Sequence, residues 1–445
     1  MNRSFGAAFA VVAALFVSFW FTPSGRVQAE TKPNVLLIIT DDHREGLSQL
    51  PKTQQWFSDG INYENAYATT PLCCPSRASI MTGQYAHNHL VKTNEDSTSL
   101  VHEMTIQAFL KNRGYRTALY GKYLNGSHFS EIPSYFDEWA RPTDAGNSKH
   151  VDARWNVNGA TRDIPGYNST VIGDFATEFL RRAEASNDTE PWYLYLAPSA
   201  VHSPFIPEAQ YSNAAVAPWS GNPAVAETDR SDKPAYVRKA TCGLACGQTI
   251  RIGQYRMLLS VDDMVDRVFG ELQAQGELAD TLVFFMSDNG YMWGEHGLEG
   301  KMQPYTESIQ VPMMARWPGH LAAGTDKRRV ANIDIAPTVL AALGEPMPSA
   351  DGKSLLDSSW SRQSLLHEEW GGSVARYWAS LRADGWQYIE HYNPKTEQVA
   401  FKEYYNLTAD PWQLSNRFQS LPPDQQASLS SQLAQARTCV GSGCP

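Results

Sequence analysis

Apolar residues along this chain fall into short unbroken runs separated by amphipathic stretches. The run VLLIIT, from Val35 to Thr40, closes on two aspartates, Asp41 and Asp42. A strand covered on both faces carries no polar alternation, so this run predicts a central, buried, parallel strand. The stretches 116–120, 192–197 and 282–286 have the same character. Between them the period changes. Val171, Ile172, Phe175, Ala176, Phe179 and Leu180 share one helical face, and so do Met257, Leu258, Val261, Met264, Val265, Val268 and Phe269. Alternating strands and helices predict an α/β fold with a central, mostly parallel sheet and helices on both sides. Ligands of such sheets sit beyond the carboxyl ends of the strands, and Asp41, His202 and Asp288 each closely follow such an end. Past about residue 355 the texture changes. Stretches 377–380, 386–392 and 399–405 read as short antiparallel strands, with a polar helix over 423–437. They predict a smaller C-terminal α+β subdomain.

The two ends and the charge refine this division. Arg3, an apolar stretch from Ala7 to Phe21 and the tripeptide Val27-Gln28-Ala29 predict a secretory signal over 1–29. The alternative is an uncleaved anchor, but the apolar run is short for a membrane span of about 20 residues. The expected layout is a signal over 1–29, a main α/β domain over 30–355 and a C-terminal subdomain over 356–445. The mature chain is expected to be exported, in a secreted, periplasmic or lysosome-like location, with no membrane association after cleavage. The net charge of −10 argues against a nucleic-acid partner, which needs a basic face. An anion still binds an acidic chain wherever Lys, Arg or a metal cluster locally.

Six cysteines form three close pairs. Cys242 with Cys246 and Cys439 with Cys444 are candidates for small disulfides, with metal binding the rival reading. Cys73 and Cys74 are adjacent, and adjacent cysteines rarely bridge, so that pair calls for other chemistry.

It stands in the segment Cys73-Cys74-Pro75-Ser76-Arg77-Ala78-Ser79-Ile80-Met81-Thr82-Gly83, which matches C-x-P-S-R-x-x-x-[LM]-T-G at every fixed position. On this motif the chain resembles the type I sulfatases, which have an alkaline-phosphatase-like sandwich fold. The resemblance runs from Pro33 to about Pro318 and more weakly beyond. It implies that a formylglycine-generating enzyme oxidises Cys73 to formylglycine before folding, and that Cys74 is the variable position. A formylglycine hydrate carries two hydroxyls on one carbon. One attacks sulfur and expels the alcohol; the other loses its proton and the carbon collapses to the aldehyde, ejecting sulfate.

A hard divalent cation that polarises the sulfate oxygens needs oxygen ligands. The resemblance assigns them to Asp41, Asp42, Asp288 and Asn289, completed by the oxygen derived from Cys73. Three carboxylates and an amide suit Ca2+ or Mg2+ better than zinc, and the family favours one Ca2+. It likewise gives catalytic roles to Arg77, Lys122, Lys301 and His202. One departure stands out: many sulfatases carry a histidine two residues after the Lys122 position, where this chain has Leu124. The base that eliminates sulfate is therefore unassigned, with His43, His87 and His296 as candidates. The Cys-Cys pair, Gly121-Lys122-Tyr123-Leu124-Asn125 and His87-Asn88-His89 resemble the N-acetylglucosamine-6-sulfatase and heparan endosulfatase branch. The implied function is hydrolysis of sulfate esters of sugars or glycans. Rival readings are a general arylsulfatase acting on aryl sulfates, a phosphate or phosphonate ester hydrolase, and a non-enzymatic binder of sulfated glycans.

Overall fold

The architecture follows from the first apolar run. In the computed structural model, which describes residues 1, 2, 6, 32–44, 47–125, 132–142, 150–185 and 190–445, strand β1 (Asn34–Thr40) is buried along its whole length. The signal assigned to 1–29 lies outside these residues except at positions 1, 2 and 6. Alternate side chains of β1 feed two cores, as strand geometry requires. Leu36 and Ile38 pack with the helices Asn168–Glu184 and Leu244–Gln275 on one face. Val35, Leu37 and Ile39 pack with the helix Cys73–Thr82 on the other.

Strand β1 sits inside a ten-stranded sheet. The other strands are β2 (Ile61–Tyr67), β3 (Arg116–Gly121), β4 (Glu138–Pro142), β5 (Arg154–Val157), β6 (Ala160–Asp163), β7 (Trp192–Ala197), β8 (Thr281–Ser287), a separate hairpin β9 (Met292–Trp293) and β10 (Glu299–Gly300), then β11 (Met313–Arg316) and β12 (Gly324–Ala331). Their order in the sheet is β12-β2-β11-β8-β1-β7-β3-β4-β5-β6. The central run β8-β1-β7-β3-β4 is parallel throughout. Its carboxyl ends therefore lie along one edge, which brings the residues after β1, β3, β7 and β8 together.

A second, antiparallel sheet of β13 (Ser364–Trp370), β14 (Tyr377–Ala383), β15 (Trp386–Tyr392) and β16 (Val399–Asn406), with the helix Pro423–Ala436, forms the C-terminal α+β layer. The α/β fold with a mostly parallel sheet and a small C-terminal sheet is thus as expected. Strand β13 was not. Its SLLHEEW sequence carries two buried glutamates, and buried acids hide a strand from a reading based on apolar runs. Residues Pro33 to Pro445 make one compact unit, within which both outlying cysteine pairs are disulfides. Among the described residues no helix is long and apolar enough to cross a membrane.

The C-terminal sheet packs against the main sheet through an apolar cluster that includes Tyr67, Ile309 and Ile333, and reaches the carboxyl edge of the parallel strands with polar groups. Trp378 Nε1 donates to the Met302 carbonyl at 2.9 Å, one residue past Lys301. Directly across from Trp378 in the ladder lies Glu369, fully buried, neither of whose carboxyl oxygens has a hydrogen-bond partner among the described residues. Burial pushes its pKa up to about 8, against the opposing pull of Arg376 and Lys301. An unfolded glutamate titrates near about 4.3. The folded chain therefore keeps a proton that the unfolded chain has released, and stability falls as pH rises from there towards 8. Glu369→Gln is expected to remove that slope. Relative to the parent it should gain on the order of 4 kcal/mol between pH 4.5 and 8.5, read from urea midpoints at both pH values. An equal difference at the two pH values would contradict the assignment.

Candidate active site

The site grows from the carboxyl ends of the parallel strands. After β1 the backbone at Asp42 turns into the left-handed region (φ 65°), which a short polar side chain tolerates. The turn breaks the alternation of the strand, so Asp41 and Asp42 both aim at one point. Asp288, just past β8, joins them, and oxygens of all three carboxylates lie within 4.8 Å of one another. Asp288 Oδ1 also accepts the Asp42 amide at 3.2 Å. Gln254, on the long helix, donates to the Asp42 carbonyl at 3.2 Å and accepts from Trp293 Nε1 at 2.6 Å, so the turn is held from below.

Cys73 is the first residue of the helix Cys73–Thr82, whose positive end faces the same point. Its Sγ is 3.4 Å from Asp41 Oδ1 and 2.7 Å from Lys301 Nζ. Arg77, one turn later on the same face, is wholly buried and grips Asp288 Oδ2 through Nε and a terminal nitrogen, each at 2.9 Å. A further guanidinium nitrogen donates to the Lys122 carbonyl at 3.1 Å. Lys122 follows Gly121, whose φ of 109° and closeness to the Ala197 carbonyl exclude any side chain: an added Cβ would lie 2.1 Å from that oxygen. From there Lys122 Nζ reaches Asp41 Oδ2 at 2.6 Å, and Lys301 Nζ reaches Asp42 Oδ1 at 2.5 Å. His202, after β7, places Nε2 3.8 Å from Asp42 Oδ2, with its Nδ1 2.7 Å from the Ser203 carbonyl.

The electrostatics are those of crowded acids among cations. Burial pushes Asp41 up, but Lys122, His202, Arg77 and Lys301 together outweigh it and hold the carboxyl well below the usual range. Asp288 goes the other way: burial and the neighbouring Asp41 push it up, and Arg77 offsets only part. Burial and Asp41 push the Cys73 thiol up to about 12. A thiol nucleophile works as the thiolate, so an unmodified Cys73 is poorly suited to attack near neutral pH. Asn289 supplies one more sign of a missing partner. Its Nδ2 donates to Asp42 Oδ1 at 2.8 Å, whereas its buried Oδ1 accepts from nothing among the described residues. Three clustered carboxylates and an orphaned amide oxygen form an all-oxygen set, which fits a hard divalent cation.

Comparison with known proteins agrees with this geometry. The family described as "Sulfatase" matches residues 32–345, and "N-sulphoglucosamine sulphohydrolase, C-terminal" matches residues 294–438. The chain belongs to the sulfatase family. It is 30% identical to the N-acetylglucosamine-6-sulfatase of Capra hircus, across 95% of this chain and 86% of that protein. It is 34% identical to the extracellular sulfatase SULF-1 homolog of Drosophila melanogaster across 79% of this chain, and spans 34% of that longer protein. Among solved structures, a protein in complex with its substrate D-glucosamine-2-N,6-O-disulfate superposes with a TM-score of 0.76 at 23% identity, covering 91% of this chain and 97% of that one.

In this sulfatase all nine residues singled out in the sequence meet at one place. The three candidate bases do not. His87 Nδ1 is held by Glu368 at 3.0 Å, and its Nε2 lies 3.0 Å from the Cys439 carbonyl. His296 is bound to Glu227 at 2.7 Å. His43 turns towards Thr40 and the ring of Phe285. Gln254 escaped the sequence reading, although its position one turn before Met257 on an otherwise apolar stripe was a usable signal. His150, whose Nε2 lies 3.0 Å from the His202 carbonyl, gave no such signal.

Proposed function

We propose that this sulfatase hydrolyses sulfate esters of sugars or glycans, with a 6-sulfated N-acetylglucosamine unit as substrate. The observation that carries the reading is the meeting of Cys73 with three carboxylates and three cationic side chains at one strand edge. The charges of Asp41, Asp42 and Asp288 are balanced by Arg77, Lys122 and Lys301. One divalent cation would leave the site positive, as an anionic ester requires. Asp41, Asp42, Asp288, Asn289 and the oxygen at position 73 would hold it, and Ca2+ suits that donor set. When bound, it polarises the sulfate oxygens, and a formylglycine hydrate at position 73 supplies the attacking hydroxyl. Lys301 and Lys122 stand beside Cys73 and Asp41, where they bind and orient the sulfate. Arg77 fixes Asp288 and the Lys122 backbone. His202, on the partly exposed side, is placed to hand a proton to the departing sugar oxygen.

The relatives named N-acetylglucosamine-6-sulfatase and extracellular sulfatase support this substrate and an exported location. With that location we propose a signal over 1–29, a catalytic domain over 30–355 and a C-terminal subdomain over 356–445. A 6-sulfate projects on a free CH2 arm and enters a narrow pocket while its ring stays at the mouth. The test is kcat/KM across 6-sulfated N-acetylglucosamine, 6-sulfated galactose, a 2-sulfated uronic acid, an aryl sulfate and the matching aryl phosphate. N-acetylglucosamine 6-sulfate is expected to lead by about tenfold or more, which is about 1.4 kcal/mol of transition-state binding. A lead of that size for the uronic acid or aryl sulfate would overturn the substrate. A lead for the phosphate would overturn the reaction.

A further inference from the structure

A sugar whose sulfate lies beside Lys301 needs a surface for its ring, and two aromatic side chains stand at that place. The hairpin pairs Trp293 of β9 with Glu299 of β10, and Met292 with Gly300. The same register continued by one residue sets Tyr291 opposite Lys301, and residues opposite one another in a ladder project to the same face. Burial raises the pKa of the Tyr291 hydroxyl, and Asp42 and Lys301 are near enough to act on it, one upward and the other downward. The Tyr291 amide donates to the Glu307 carbonyl at 2.7 Å, which anchors this stretch of backbone.

Phe205 arrives from the other side of the site. It lies three residues after His202, in the loop that follows β7. Its ring meets that of Tyr291 edge to face, with centres 6.0 Å apart and planes at 87°. The helix Leu244–Gln275 supports it at Gly253, where an added Cβ would lie 2.5 Å from the Cβ of Phe205. Both rings are only partly buried. The pair therefore spans from the loop of His202 to the neighbourhood of Lys301. Ligand pockets combine such apolar walls with a few placed polar groups, and a rigid ring gives a large contact area at little cost in entropy. One face of a pyranose ring presents C–H groups and suits an aromatic wall, while its hydroxyls stay at the rim.

Resting on the sulfated-sugar reading above, we propose that Tyr291, braced edge-on by Phe205, is the platform on which the sugar ring of the substrate lies while its sulfate reaches Lys122 and Lys301. The contact is the same before and during the reaction, so it lowers KM and leaves kcat.

The test is steady-state kinetics on N-acetylglucosamine 6-sulfate, with inorganic sulfate as a competitive inhibitor that fills the sulfate pocket and has no ring. Tyr291→Ala is expected to raise KM about tenfold, or about 1.4 kcal/mol of lost binding, with the Ki of sulfate unmoved. Its kcat is expected to stay within about threefold of the parent. Tyr291→Phe keeps the ring and is expected to bring KM back to within about threefold of the parent value. Tyr291→Leu fills the space without an aromatic face and should behave as Tyr291→Ala does. Should Tyr291→Ala fail to fold, Tyr291→Leu decides alone. An unchanged KM in the folded variants, a Ki of sulfate that rises with KM, or a Tyr291→Phe as weak as Tyr291→Ala would overturn the platform. A parent enzyme that turns over an aryl sulfate and none of the sulfated sugars would overturn the sugar reading itself, and the platform with it.

Discussion

Cys73→Ala is expected to lower kcat by on the order of 10⁴-fold or more, because a methyl side chain cannot be converted to formylglycine and so offers no attacking hydroxyl. Cys73 is 1% exposed, and its thiol is pushed up to about 12, first by burial and then by Asp41. A protein relying on a thiolate would set this group among net positive charge. Here Lys301 lies 2.7 Å from the sulfur, but burial, with Asp41 at 3.4 Å, outweighs the pull of Lys122 and Lys301. The same surroundings suit a neutral hydrate that gives up a proton late. Peptide mass spectrometry across the helix Cys73–Thr82 should therefore find an aldehyde or its hydrate at position 73 in active material, and unmodified Cys74. Cys74 is buried behind the first turn, with its Sγ 3.7 Å from the Asn125 carbonyl, so Cys74→Ala should cost only a modest packing loss. Full activity from protein with a free thiol at position 73 would defeat the mechanism.

Asp288→Ala is expected to remove bound calcium and to lower kcat/KM by on the order of 10³-fold, the effect of losing several kcal/mol of charge stabilisation. It has a second consequence. Arg77 is fully buried, and its other carboxylate, Asp41, is 3.9 Å away. Removing Asp288 leaves that guanidinium poorly compensated, which costs about 3–5 kcal/mol of stability. The two effects separate on measurement. Metal content and the dependence of Tm on added Ca2+ report the ion, since ligand that binds only the folded chain raises Tm with concentration. Denaturant midpoints in chelator report Arg77. Stoichiometric zinc in the purified protein, or activity that survives prolonged chelation, would refute the assignment.

The sequence displayed those parts of the fold whose physics is one-dimensional. The four central strands are buried on both faces and so appear as unbroken apolar runs. Strand β12, GTDKRRVA, lies at the sheet edge with its first half largely exposed, and nothing in its charged letters separates it from a loop. Strand β2, INYENAY, was hidden in the same way by its polar centre. At the site, the acids after β1 and β8 were visible because a parallel sheet dictates where strands end. The pairing of Arg77 with Asp288 was not, because it joins positions on different elements through side-chain geometry. Nor did the letters reveal that Glu368 claims His87: that bond depends on how the C-terminal sheet docks.

The Arg77–Asp288 clasp also sets a schedule. Asp288 and Lys301, which close over the Cys73 helix, leave the ribosome about 200 residues after it. At a synthesis rate of about 5–20 residues per second, the segment holding Cys73 exists for roughly 10–40 s without the groups that later enclose it. An enzyme carrying out the proposed oxidation of Cys73 would have to meet the segment in that interval, because the arrival of β8 encloses it. The wide separation of the site's components along the chain would thus act as a timer for the proposed modification of Cys73.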